Sequence, residues 1–217
     1  PRGTRLRPGD TVTLTYNPRT SASMTTQSTA QPVVVIDPGH QLHADLTREP
    51  IGPGSTTLKE KVKGGATGVL THIPEFKQAL AISLKLRDRL QAAGVKVVMI
   101  RTTDDVNIAN SRRATIGNEA HAALTIRVHC DSSADQGVKG TSTLYPSGNA
   151  WCTPIEPASK RAAQLVQNAT TKVAGSAERG LHPRSDLTGI NCSNVPTTIR
   201  EAGFVSDPDG GNAVPPP

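Results

Sequence analysis

The sequence predicts an α/β fold: a single-domain α/β/α sandwich whose central sheet, mostly parallel but mixed, is flanked by helices. Three observations carry this expectation. Val33, Val34, Val35 and Ile36 form an unbroken apolar run, the pattern of a strand covered on both faces. Residues 75–93 place Phe76, Ala79, Leu80, Ser83, Leu86 and Leu90 on one helical face and stop at Gly94. Strand-like runs at 95–100, 123–128 and 195–199 then alternate with helix-like stretches at 110–120 and 156–173.

Taken in order, residues 11–16 alternate polar and apolar, as an edge strand does, and residues 17–31 are rich in Ser, Thr and Gln, a linker composition. Residues 1–31 therefore read as a strand-like remnant plus linker, and residues 32–217 as one domain. The run at 33–36 ends in Asp37-Pro38-Gly39-His40, a sharp turn signal. Residues 41–74, rich in Gly, Thr and Lys, show little periodicity and read as one long loop; loops of that length are usually functional or mobile. Strand 123–128 ends at His129, residues 140–145 alternate as a fourth strand, and strand 195–199 leads into Arg200-Glu201. Beyond Phe204 the chain turns to Asp, Gly and Pro, and no internal repeat is visible.

Composition narrows the function classes. The net charge is +6, which favours anionic partners. With no dense Lys/Arg block and few aromatic residues for base stacking, nucleic acid is not expected; anionic wall polymers are the other candidate. No apolar run approaches the roughly 18 residues of a membrane span. The start at Pro1, without Met, fits a processed or cut chain that has lost any export signal. The three cysteines, Cys130, Cys152 and Cys192, contain no CxxC, so a thiolate zinc site is not indicated. A Cys152–Cys192 disulfide with one thiol left over fits an exported protein; three ordinary thiols are the alternative. A monomer is expected.

Polar groups gather where strands end. His40, His129 and Glu201 each lie just past a predicted strand, and ligands of open α/β sheets bind beyond the carboxyl ends of the strands. Glu75 opens the first long helix and could face the same edge. Two His and one carboxylate are a common set for catalytic zinc, with water in the fourth position. A second carboxylate off the metal can move the proton. Each residue also has an ordinary reading: a turn histidine, a strand-end histidine, a surface acid, or a helix-start charge stabilising by about 0.3–1 kcal/mol. The candidates are scattered, not set in a compact motif such as HExxH.

Four segments stand in order along the chain: Val34-Val35-Ile36-Asp37-Pro38-Gly39-His40, Glu75 with its Ala/Leu-rich helix and Gly94, Ile126-Arg127-Val128-His129-Cys130-Asp131, and Arg200-Glu201-Ala202-Gly203-Phe204-Val205-Ser206. Together they resemble zinc-dependent N-acetylmuramoyl-L-alanine amidases. Arg101, Asp104, Arg112 and Asn118 fall where that family carries such residues, and the match runs over roughly residues 33–209. The resemblance implies a secreted cell-wall autolysin with one zinc ion per chain, held by His40, Glu75 and His129. It also implies that Glu201 is general base and acid in cleaving the bond between muramic acid and L-alanine of peptidoglycan. Rival readings are a non-catalytic wall-binding module on the same fold and a zinc peptidase acting on the stem peptide.

Departures from the family pattern suggest further roles. Gln41-Leu42-His43 replaces glycines, which makes His43 a candidate substrate contact; Arg184 and Asn191 are the others. Lys59, Lys61 and Lys63 suit acidic stem-peptide groups, with residues 41–74 as cleft wall or lid. Cys192 stands where a large apolar residue is expected, which a bond to Cys152 would explain. Arg200 either keeps Glu201 ionised or faces solvent. The family's closing helix is not evident in the final residues.

Overall fold

The computed structural model describes residues 31–174 and 177–207. The strand-and-linker reading of residues 1–30 and the question of a closing helix after residue 207 lie outside them. The described chain runs β1 (Val33–Pro38), β2 (Asp45–Pro50), β3 (Leu58–Val62), α1 (Glu75–Ala92), β4 (Lys96–Met99), α2 (Asn110–Glu119), β5 (Leu124–Asp131), β6 (Thr141–Pro146), α3 (Glu156–Ala174), β7 (Glu178–Arg184), α4 (Thr188–Asn191) and β8 (Thr197–Phe204). The main sheet has the order β4-β1-β5-β8-β6-β7. Its first four strands are parallel; β6 runs antiparallel to β8, and β7 parallel to β6. The predicted class, a mostly parallel but mixed sheet between helices, is what forms.

Period-two alternation assigns the faces. Ile36, Ile126 and Val128 pack under Ile82, Leu86 and Leu90 of α1. Val33 and Val35, on the other face, pack with Ile100, Ile108, Ile116 and Ala122 around α2. Arg200 lies beside Val128 in register and reaches Gln167 of α3, so α3 extends the layer begun by α1. Arg127, His129, Ile199, Glu201 and Leu144 thus share the face opposite α1 and α3. There Leu144 and Ile199 meet Ile190 of α4.

The structure departs from expectation in four places. Residues 41–74 are not one loop: β2 and β3 form an antiparallel hairpin. Of these strands only Glu49 and Val62 are buried, so no apolar alternation marked them. β7, which no apolar alternation marks in the sequence, is an edge strand, a position that tolerates Pro183. His129 and Glu201 lie within β5 and β8, because both strands run past the apolar residues that predicted them. Finally, all three cysteines are free thiols, so the structure lends no support to the expected Cys152–Cys192 disulfide. Cys152 sits in the core beside Leu144, Ile190 and Ile199 with its thiol 3.5 Å from Asn191 Oδ1, while Cys192 ends α4 only partly buried.

Candidate active site

The first histidine is positioned by its backbone. His40 follows β1 with φ of +56°, an unusual value for a non-glycine residue. Two buried arginines hold this turn. Arg101 donates Nε to Pro38 O, Nη2 to Gly39 O and Phe76 O, and Nη1 to Thr103 O and Asp104 Oδ1. Arg113 donates Nε to Ile108 O, Nη1 to Asp37 Oδ1 and Pro38 O, and Nη2 to His40 O and Gln41 Oε1. Each guanidinium thus places all of its N–H groups. Arg101 also ties the His40 turn to the first turn of α1, where Glu75 stands.

The ring of His40 is oriented by the hairpin: Nδ1 lies 2.8 Å from Lys63 O. A carbonyl only accepts, so Nδ1 carries the proton and Nε2 keeps its lone pair. That Nε2 is 3.2 Å from Glu75 Oε1, and His129 Nδ1 is 3.1 Å from the same oxygen. The two rings meet edge-on with centroids 4.8 Å apart. Glu75 is anchored by Cys130 N to Oε1 and Ala66 N to Oε2, each at 3.1 Å. Burial raises its pKa, but its close contacts with His129 and His40 outweigh this and hold it well below the usual carboxylate range. Burial, with the neighbouring His40, lowers the pKa of His129 and favours neutral imidazole.

The donor set suits a metal ion. One ligand atom each from His40, Glu75 and His129 lies within 4.8 Å of the others. Neutral imidazoles and an ionised carboxylate are the forms that bind zinc. The surrounding backbone is cut to fit: a Cβ on Gly39 would stand 2.5 Å from His129 Cε1, and one on Gly65 2.9 Å from Glu75 Oε2.

A cleft of about 460 Å³ opens over His40 and His129 and is also lined by Arg127, Asp131, Arg184, Thr188 and Glu201. Glu201 Oε2 is buried without a hydrogen-bond partner. Burial first, then the charges of Glu75 and Asp131, push its pKa up to about 8. Arg200 does not keep Glu201 ionised or face solvent: it is 5% exposed and donates to Ser142 O, Thr143 Oγ1 and Gln167 Oε1 on the opposite face.

Other expectations fall differently. Arg184 reaches the cleft but forms a two-point ion pair with Asp186 at 2.7 and 2.9 Å. His43 is exposed and lines a separate hollow with Asp45, Leu46 and Asn107. Asn191 is buried and structural, donating to Ile51 O and Ser185 O while accepting from Asn149. Lys59 pairs with Asp186, Lys61 with Asp45, and Lys63 with Glu60. Arg112 is an exposed partner of Glu119, and its neighbour Arg113 fills the buried role. Arg113 and Arg127 were missed. A charged residue inside the apolar strand run 124–128 was a signal for Arg127; nothing local separates Arg113 from Arg112.

Known proteins share this architecture and sequence. An N-acetylmuramoyl-L-alanine amidase of Mycobacterium tuberculosis is 28% identical over 196 residues, which cover 87% of this chain and 80% of the relative. The apo structure of the amidase Ami1 from Mycobacterium abscessus has a TM-score of 0.75 at 25% identity, covering 86% of this chain and 90% of that one. The Ami1 structure from Mycobacterium smegmatis has a TM-score of 0.72 at 24% identity over 83% and 85%, a likeness of fold. The N-acetylmuramoyl-L-alanine amidase family matches residues 34–214, and the chain belongs to that family of cell-wall hydrolases.

Proposed function

We propose that this amidase cleaves the bond between N-acetylmuramic acid and L-alanine in peptidoglycan, with one zinc ion held by His40, Glu75 and His129, and with Glu201 as proton shuttle. The observation that carries the reading is the convergence of three donor atoms within 4.8 Å in a cleft where Glu201 Oε2 is buried and unpaired. Zinc, when bound, supplies a Lewis acid for the amide carbonyl and acidifies water to a pKa of about 7.

The chain does the rest. Lys63 O sets the His40 tautomer, and Cys130 N and Ala66 N fix the Glu75 carboxylate. Glu201 accepts a proton from the attacking water and delivers it to the departing amine of L-alanine. A carboxyl with a raised pKa is a stronger base once ionised, which suits that task. Residues 32–217 form the catalytic domain, acting at the cell wall outside the membrane, and the positive net charge draws it to anionic wall polymers. The hairpin β2–β3 forms a fixed wall of the cleft. Trp151 Nε1 donates to Pro53 O, Asn110 Nδ2 to Lys61 O, and Asn191 Nδ2 to Ile51 O, which latch it at several points.

The test measures zinc per chain and the peptidoglycan products by mass spectrometry. One zinc per chain and free stem peptides beginning at L-alanine are expected. Fragments cut inside the stem would indicate a peptidase, and bound zinc with intact walls a non-catalytic module. Glu201→Gln is expected to abolish turnover and retain zinc; loss of zinc would reassign Glu201 as a ligand.

A further inference from the structure

His40, Glu75, His129 and Glu201 do not exhaust the charged groups of this cleft. Arg127 precedes His129 by two residues on β5, so its side chain leaves the same sheet face about 7 Å back along the strand. It is 5% exposed and lines the cleft. Its Nε lies 2.8 Å from Asp37 Oδ2, and its Nη2 donates to Asn110 Oδ1 at 2.5 Å. Its Nη1 lies against Gly189, where a Cβ would come within 1.3 Å, so only glycine leaves room for the guanidinium. No hydrogen bond among the described residues uses Nη1.

Thr188, the residue before that glycine, lines the same cleft. It is 2% exposed, and its Oγ1 has no partner. A buried hydroxyl without a partner is unfavourable unless a ligand completes it. Asp37 and Glu49 balance the charges of Arg113 and Arg127, so what Arg127 has free is the donor Nη1 and not an excess charge. Asp37 is shared, with Oδ1 2.5 Å from Arg113 and Oδ2 2.8 Å from Arg127. Glu49, the other acid acting on Arg127, accepts from Ser111 N and Oγ. Arg184, which the sequence suggested for anion binding, already has its carboxylate in Asp186.

The geometry points to a substrate carboxylate subsite formed by Arg127 and Thr188, which reads the acidic residue following L-alanine in the stem peptide. The assignment rests on the amidase reading for its choice of ligand. A substrate residue spans about 3.5 Å, so a group about 7 Å from His129 lies within two residues of the scissile bond. Arg127 Nη1 donates to one carboxylate oxygen, and Thr188 Oγ1 donates to the same group. A primary amide in place of the carboxylate keeps one acceptor but loses the charge.

The experiment measures binding of the tripeptide L-Ala-γ-D-Glu-L-Lys and its twin amidated at that carboxyl, by calorimetry on the zinc-loaded protein. The wild type is expected to bind the free acid roughly tenfold tighter, the advantage of a charge-assisted hydrogen bond. Arg127→Met should bring the two peptides within about twofold of each other at unchanged zinc content. Thr188→Val should weaken the free acid roughly threefold without lowering the melting temperature, because it removes an unpaired polar atom. Equal binding of the twins by the wild type, or a preference that survives Arg127→Met, overturns the subsite. If Arg127→Met does not fold, unaltered binding by Thr188→Val overturns it instead. Turnover of peptidoglycan by the same wild-type sample is scored separately: a preference without turnover keeps the subsite and rejects hydrolysis.

Discussion

Replacing Arg101 with Met tests whether this site is built by its buried arginines. The Arg101 side chain is fully buried, and its five bonds reach two carbonyls of the His40 turn, Phe76 O on α1, Thr103 O and Asp104. Methionine fills similar volume but donates to none of them. Pro38 O keeps its bond from Arg113, and Asp104 is 26% exposed and can take water. Gly39 O and Phe76 O lose the donor that joins the segments carrying His40 and Glu75. Leaving two buried carbonyls without this donor costs about 1–3 kcal/mol each, a melting temperature lower by roughly 10 °C for a domain of this size. Because the lost bonds link His40 to Glu75, zinc affinity should fall as well, by about 10–100-fold as for other outer-shell changes. Thermal unfolding by circular dichroism, with and without zinc, gives the first number, and competition with a chromophoric chelator gives the second. A stability loss with unchanged zinc affinity would refute the positioning role. A loss under about 1 kcal/mol would refute the bonding network itself.

Further outcomes follow from the same geometry. His129→Ala should lose zinc, and added zinc, expected to raise the melting temperature of the wild type, should then no longer do so. Gly65→Ala should also impair zinc binding, since φ is +80° and the new Cβ would press on Glu75 Oε2 at 2.9 Å; near-normal affinity would count against that packing. In metal-free protein Glu201 has its pKa raised from 4.5 to about 8, so ionising it disfavours the folded state. Its contribution to stability is therefore lost as pH rises from about 4.5 towards 8, and Glu201→Gln should flatten that part of the melting-temperature profile. Thiol titration of unfolded, unreduced protein should count three free cysteines, and a count of one would restore the Cys152–Cys192 bond.

Much of the fold was legible because its central strands are apolar throughout. A strand covered on both faces favours an unbroken apolar run, and residues 33–36 and 124–128 carry that pattern except at Thr125 and Arg127. Helix α1 showed its apolar period directly, and α2 and α3 stood out as helix-like stretches. The hairpin and β7 did not, because strands with little burial need no apolar alternation, and their pairing depends on partners elsewhere in the chain.

At the site, local sequence determined which residues could act: a histidine after a Pro-Gly turn, a glutamate opening a helix, a histidine and a glutamate on neighbouring strands. Only the tertiary structure decided that His40 and His129 meet over Glu75, because three remote segments must be brought to one sheet edge. It likewise decided that Arg113 rather than Arg112 is buried, and that Arg200 faces α3 rather than Glu201. Adjacent residues on a strand point to opposite faces, so Arg200 cannot share the cleft with Glu201 once β8 is paired. The physical reason for the division is range. Turn and helix preferences act within a few residues, whereas ligand geometry, burial and charge pairing depend on what the completed sheet places opposite each side chain.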